Sequence, residues 1–265
     1  MKISVIIPSF KPQEYLWECL DSLRVQTFSR EDFEVIIILN GCCEPWKSQI
    51  ELFISAKMEG MNVMLIQTDA SGVSNARNIG IESSIGDYIA FIDDDDYVSP
   101  QYLEELYSLT SDKILALSYQ LAFKDGEKNF FPYYITRQYE KYCKKRNLPF
   151  YKARRLFNGP TYKLISRKII GNKRFDTSFS NGEDSLFMFL ISDGFKYVNF
   201  TTKSAVYYRR YRDGSAIRLR GDRINKTRNS LRLIAKYMMI YIHHPFKYNL
   251  TFLLTRIMAS LKVIK

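Results

Sequence analysis

The chain is poor in cysteine: only Cys19, Cys42, Cys43 and Cys143 occur in 265 residues, with no CxxC pair and no metal-ligand spacing. That excludes a disulfide framework and a thiolate zinc site, and it fits a reducing compartment. Twelve glycines and eight prolines are too few for a collagen-like or low-complexity chain. No uninterrupted apolar stretch reaches the roughly 18 residues needed to span a bilayer. The first residues, Met1-Lys2-Ile3-Ser4, pass directly into a β-type run, without the apolar h-region and cleavage site of a signal peptide. These absences place the expected protein in the cytosol or peripherally on the inner face of the cell membrane.

Acidic residues are scarce in one region only. The whole chain carries 39 Lys+Arg and 28 Asp+Glu, a formal charge of +11, but residues 1–200 hold 24 basic and 26 acidic side chains while residues 201–265 hold 15 and 2. The split is therefore −2 against +13. A positive terminal segment of this kind meets phosphate, in nucleic acid or on an anionic membrane. The length suits one large domain with an appendage.

Lys2 to Pro8, Glu34 to Leu39, Asn62 to Gln67 and Asp87 to Ile92 are near-continuous apolar runs too short for helices. Such runs read as strands buried on both faces. Helical patterns lie between them: Tyr15, Leu16, Cys19, Leu20 and Leu23 share one face, as do Ile50, Phe53 and Ile54, and in part Val73, Ala76 and Ile79. The alternation predicts an α/β fold, a mostly parallel twisted sheet with helices on both faces. Ligands of such sheets bind beyond the carboxyl ends of the strands, which points to residues 9–12, 40–45, 68–75 and 93–100. Farther on, the pattern predicts a helix over 101–109, a strand over 114–123, a polar-aromatic turn region, a basic stretch over 137–155, a strand over 162–166, a helix over 183–192, and short strands over 196–200 and 205–210.

Asp93-Asp94-Asp95-Asp96 follows the fourth apolar run. Adjacent carboxylates repel one another unless a cation compensates them, and alternate residues such as Asp93 and Asp95 point the same way. They suit one hard divalent cation, Mg²⁺ or Mn²⁺, that keeps waters and takes phosphate oxygens; a solvated acidic turn with a helix cap is the plain alternative. Glu183-Asp184 follows Asn181-Gly182 and opens an apolar helix, where a carboxylate ordinarily serves as an N-terminal cap.

The run VIIPSFKPQEYLWECLDSLRVQTF, then DFEVIIILNG, then SGVSNARNIGIESSIGDYIAFIDDDDYVSP, NGEDSLF and YYRRYRDGSA resembles glycosyltransferase family 2 in order and spacing. The resemblance is dense to about residue 110 and returns as motifs near residues 160–217. It implies an inverting, metal-dependent transferase of the A-type glycosyltransferase fold that uses a nucleotide-diphosphate sugar. It casts Asp95 as the metal ligand, with Asp93 and Asp94 serving the metal's waters, the ribose or the sugar. It makes Asp184 the general base, with Glu183 beside it. Nucleotide contacts carry over to Pro8, Ser9 and Phe10 in the first loop, or that loop is an ordinary strand-to-helix turn; they carry over also to Arg77 and Asn78 of the ARN motif. Arg212 and Ser215 match the family's diphosphate-closing loop, whose plain alternative is a basic hairpin turn. Where the family has two acidic residues before Gly-Ser, this chain has Leu39-Asn40-Gly41-Cys42. Asn40 offers both a donor and an acceptor, so uracil and cytosine both remain open as the base, with uridine favoured.

The expected organisation is a catalytic domain over 1–218, divided into a nucleotide-sugar half (1–110) and an acceptor half (111–218), followed by a basic helical tail over 219–265. In the tail, Leu231, Ile234, Ala235, Met238 and Met239 form an apolar stripe with Arg223, Lys226, Arg228, Arg232 and Lys236 mostly off it. Basic and amphipathic together suit a helix in the membrane interface; a helical cap on the sheet or an oligomer contact is the alternative. The reaction expected is transfer to a saccharide or lipid-linked saccharide in surface polysaccharide or lipopolysaccharide synthesis, with no nucleic acid partner. A nucleotidyltransferase is the enzyme alternative, although Ser9-Phe10-Lys11-Pro12 lacks the glycine of its phosphate loop. A nucleic-acid-binding protein is the other alternative, motivated by the basic tail, and it leaves the aspartate cluster unexplained.

Overall fold

A computed structural model describes residues 1–127, 129–212 and 223–264. Its first half alternates as the apolar pattern predicts: β1 (Ile3–Ser9), α1 (Tyr15–Arg24), β2 (Phe33–Asn40), α2 (Trp46–Lys57), β3 (Asn62–Thr68), α3 (Val73–Ser83) and β4 (Tyr88–Phe91). Every residue of β1 and β2 is buried, because helices cover both faces of the sheet. Gly80 lets α3 settle on β1, since a Cβ there would lie 2.3 Å from Ile6 Cγ2.

The second half comprises β5 (Tyr97–Val98), α4 (Tyr102–Leu109), β6 (Ile114–Leu117), β7 (Tyr119–Lys124), α5 (Tyr134–Tyr142), β8 (Leu148–Pro149), β9 (Lys163–Ser166), α6 (Arg167–Ile170), α7 (Glu183–Leu190), β10 (Tyr197–Phe200), β11 (Val206–Tyr211), α8 (Arg223–His243) and α9 (Leu250–Ile264). The main sheet has the order β3-β2-β1-β4-β9-β6-β10-β8. It is parallel from β3 to β4 and becomes mixed beyond, because β9 runs antiparallel to both β4 and β6. A small sheet, β5-β11-β7, stands beside it.

Two expectations change here. The single strand expected over 114–123 is two strands in different sheets. At Ser118 the chain turns from one sheet to the other: the Ser118 amide donates to Tyr162 O and the Tyr119 amide to Ala205 O. The stretch expected as a turn followed by a basic run contains α5, at whose start the Tyr133 amide donates to Thr136 Oγ1 at 3.0 Å.

The inner faces of the C-terminal helices join the main core. Leu233, Tyr237, Tyr248, Phe252 and Leu253 all belong to it. The apolar stripe expected on α8 is a separate face that points outward: Leu231, Met238 and Met239 are exposed, while the buried positions of α8 are Ser230, Leu233 and Tyr237.

Candidate active site

The carboxyl ends of β1, β2, β3 and β4 lie on one edge of the parallel half-sheet, which gathers the loops after them. Four consecutive aspartates leave β4 there, and each meets a different partner. Asp93 accepts from Arg77 Nη2 at 2.8 Å. Asp94 is buried and accepts from Ser9 Oγ at 2.7 Å, and burial pushes its carboxyl up to about 7 against the pull of that hydrogen bond. Asp95 accepts from Arg212 Nε at 2.6 Å. Asp96 accepts the Arg210 backbone amide, which fastens β11 to the aspartate loop; burial raises its carboxyl strongly.

Asp184, ninety residues farther on, reaches the same place. It stands in the first turn of α7, after Gly182 in left-handed conformation at φ 87°, and Arg77 Nη1 donates to its Oδ1 at 2.6 Å. One guanidinium, only 3% exposed, therefore joins Asp93 of the aspartate loop to Asp184. Burial raises the Asp184 carboxyl above its ordinary value, with Arg77 opposing the shift. Glu183 is raised by burial and by Asp184 beside it, and its Oε2 is buried without a hydrogen-bond partner. The other Asp184 oxygen, Oδ2, faces the turn after Asn158: a Cβ built on Gly159 would lie 3.5 Å from it.

The remaining residues expected at the site divide. Pro8 and Ser9 end β1 and are buried, whereas Phe10 is exposed, with Lys11 Nζ above both its ring and that of Trp46. Phe10 and Trp46 thus offer aromatic surface at the mouth of the cleft. Asn40 is buried, its amide donating to Ser9 O and its carbonyl accepting from Gly72 N. It braces two cleft loops against each other, so the direct pairing with a base expected of it is replaced by a structural tie. Asn78, expected at the nucleotide, bonds the backbone of Phe175 with both ends of its amide, tying α3 to the chain before α7. Ser215 lies outside the described residues.

Three side chains at the site escaped the sequence reading. Tyr207 accepts from the Asp93 amide. Arg209 lies above the rings of Tyr133 and Tyr211, in the field of Asp96 and Asp93. Lys163 is fully buried in β9, where Nζ donates to Gly159 O at 2.8 Å and Thr161 O at 3.2 Å and feels the charge of Asp184. Its only sequence signal is a lysine within an otherwise apolar strand.

The donor set also suits a hard cation. Asp93 and Asp95 each give one oxygen to an arginine, and burial together with the neighbouring Asp93 charge raises the Asp95 carboxyl despite Arg212. Negative charge is thus in excess at carboxylate oxygens, the ligands Mg²⁺ and Mn²⁺ prefer. Among the described residues no three His, Cys, Asp or Glu side chains form a cage, so the other ligands would come from water and a bound diphosphate.

Residues 4–172, the stretch that carries the aspartate loop and Arg77, match the sequence profile described as Glycosyl transferase family 2. The chain belongs to this family. It is 26% identical over 232 residues to Glycosyltransferase GlyA of Streptococcus pneumoniae serotype 4, covering 82% of this chain and 32% of GlyA. It is 30% identical over 105 residues to the poly(ribitol-phosphate) beta-N-acetylglucosaminyltransferase TarS of Staphylococcus aureus, covering 40% of this chain and 18% of that protein. The chain thus spans a third or less of these two relatives. The crystal structure of S. aureus TarS 1–349 in complex with UDP-GlcNAc superimposes with a TM-score of 0.72 at 19% identity, over all of this chain and 70% of that one. The Pyrobaculum calidifontis mannosyltransferase PcManGT in complex with GDP-Man and Mn²⁺ gives 0.65 at 14% identity, over 99% and 72%. The large sheet flanked by helices is therefore the A-type glycosyltransferase fold that the sequence implies.

Proposed function

We propose that this domain transfers a sugar from a nucleotide diphosphate, with UDP the favoured nucleotide, to a hydroxyl of a saccharide or lipid-linked saccharide acceptor in one inverting displacement. The observation that carries the reading is the Asp93–Arg77–Asp184 chain. It sets a partly buried carboxylate, held above its ordinary value by burial, one guanidinium away from the aspartates suited to a donor diphosphate. In this reading Asp184 Oδ2 accepts the proton of the acceptor hydroxyl while Oδ1 stays fixed on Arg77. Phe10 and Trp46 pack against the base, and Ser9 and Asp94 meet the ribose. Arg212 faces the diphosphate. Asp95 and Asp93 would hold Mn²⁺ or Mg²⁺, which when bound neutralises charge on the departing diphosphate. UDP is supported by the UDP-GlcNAc complex of the structural neighbour TarS, and a cell-surface polymer as acceptor by the poly(ribitol-phosphate) activity in the name of that relative.

We further propose that the tail rests on the cytoplasmic face of an anionic membrane. Supporting this, Leu250, Leu254, Met258 and Leu261 form an exposed stripe along α9, Phe246 projects fully into solvent between the helices, and Arg223, Arg228, Arg232 and Lys247 are exposed nearby. Among the described residues no helix is long and apolar enough to cross a membrane.

The test of the transfer reading replaces Asp184 and Asp95 by Asn, one at a time. Release of UDP from UDP-GlcNAc with Mn²⁺ and ribitol-phosphate oligomers should fall at least 100-fold in each variant. Undiminished turnover in both would refute the assignment.

A further inference from the structure

Beside the turn that faces Asp184 lies a group of arginines that the transfer chemistry leaves unused. Arg256 of α9 is 3% exposed. Its Nη1 donates to Asn158 Oδ1 at 2.9 Å and Phe157 O at 3.2 Å, Nη2 reaches Arg154 O at 3.4 Å, and Nε has no partner. Arg154 is fastened to the same helix, Nε donating to Thr255 Oγ1 at 2.7 Å. Arg155 is exposed and free of hydrogen bonds among the described residues. The hydroxyl of the half-exposed Tyr134 feels the charge of all three. Among the described residues, none of the three has a carboxylate within 4 Å.

Three like charges held together without a counter-ion repel one another, and a buried guanidinium lacking a carboxylate is disfavoured. Burial and the nearby Arg154 accordingly oppose the charge on Arg256. An anion would relieve both costs, and arginine forks suit phosphate oxygens. Position narrows the anion's identity. Arg256 and Lys163 grip successive parts of one turn, Phe157 to Thr161, and its Gly159 is the residue that faces Asp184 Oδ2. An anion held where Arg154 and Arg256 meet would therefore adjoin the turn that faces Asp184.

We propose that Arg154, Arg155 and Tyr134, backed by Arg256, form a subsite for a phosphate ester carried by the acceptor. The inference rests on Asp184 being the base, and it adds the acceptor's chemical class. The phosphate can belong to a polyol-phosphate polymer or to a lipid carrier, since both present the same ester oxygens.

The full chain, saturated with UDP and Mn²⁺ so that the diphosphate side is filled, is titrated calorimetrically with sn-glycerol 3-phosphate and with glycerol. The phosphate should bind and glycerol should not. Arg155→Ala should weaken the phosphate at least tenfold and Arg155→Lys less, because lysine keeps the charge and loses the fork. Arg155 has no hydrogen bond to lose, so an unchanged melting temperature separates ligand loss from unfolding. Vesicles of phosphatidylglycerol and phosphatidylcholine form the second arm: weaker binding of Arg155→Ala to phosphatidylglycerol as well indicates a lipid-borne phosphate, and an effect on the soluble ester alone a polymer-borne one. UDP binding without glycerol 3-phosphate binding, or equal binding by wild type and Arg154→Gln/Arg155→Ala, overturns the subsite and leaves the transfer reading intact. Failure of UDP itself to bind counts against the transfer reading instead.

Discussion

Replacing Arg77 by Met tests the electrostatic hinge of the site. Arg77 is 3% exposed and bonds Asp93 at 2.8 Å and Asp184 at 2.6 Å, while the two carboxylates keep 40% and 33% of their side-chain surface in water. Breaking a fully buried pair costs about 3–5 kcal/mol. Partial hydration of both carboxylates reduces this to roughly 2–4 kcal/mol. The loss should depend on pH in a defined direction. Asp184 already lies above its ordinary value in the folded protein, and Arg77 opposes that rise, so its removal lifts Asp184 further. A carboxyl whose folded pKa exceeds its unfolded one favours folding at low pH and loses that advantage as pH rises above the unfolded value near 3.8. Urea denaturation of the variant should therefore show a large loss at pH 8 that shrinks toward pH 5. Adding Asp184→Asn should recover much of the loss at pH 8, because an uncompensated carboxylate is then gone. A variant within about 1 kcal/mol of wild type at pH 8, or equally destabilised at both pH values, would refute the argument.

Two glycines and one surface give further expectations. Gly159→Leu should cover Asp184 Oδ2 and lower kcat at least tenfold with the Kd for UDP unchanged; an unaltered kcat would mean that the acceptor approaches elsewhere. Gly182→Ala forces a side chain into φ 87° and within 2.5 Å of Leu233 Cδ1, so thermal unfolding should show a loss of about 1–3 kcal/mol, with no loss refuting the packing of α8 on α7. Phe246→Asp/Leu254→Asp should abolish flotation with phosphatidylglycerol vesicles while leaving the melting temperature unchanged, since both side chains are exposed; undiminished flotation would remove the membrane role.

Residues 1–92 were readable because β1, β2 and β4, buried almost throughout, leave continuous apolar runs, and the helices between them carry one apolar face each; β3 was found from the same kind of run but lies at the sheet edge, with Asn62 and Met64 exposed rather than buried. The second half was less readable because its strands change partners. Ile114 to Lys124 is one β-favouring stretch in sequence, and only the approach of Tyr162 and Ala205 divides it at Ser118. The α8 stripe shows a related limit. Leu233 and Tyr237 form the packed face, and Leu231, Met238 and Met239 a second apolar face; sequence period alone reports an apolar face without saying whether protein covers it.

The aspartate cluster and Glu183-Asp184 could be found in sequence because acidic residues interrupt apolar surroundings at element ends. Their connection could not, since it depends on one guanidinium reaching 16 positions to Asp93 and 107 to Asp184. The same limit explains Asn40 and Asn78. An amide suits a base edge and a backbone peptide equally well, and only the fold supplied the Ser9, Gly72 and Phe175 backbones that occupy them. Lys163 marks the opposite limit. A buried ammonium is costly without partners, so a lysine buried in β9 requires oxygen atoms nearby, and those oxygens belong to the turn that faces Asp184. A charge beside an apolar strand is thus a usable signal, although only the fold showed that Lys163 is buried and which oxygens meet it.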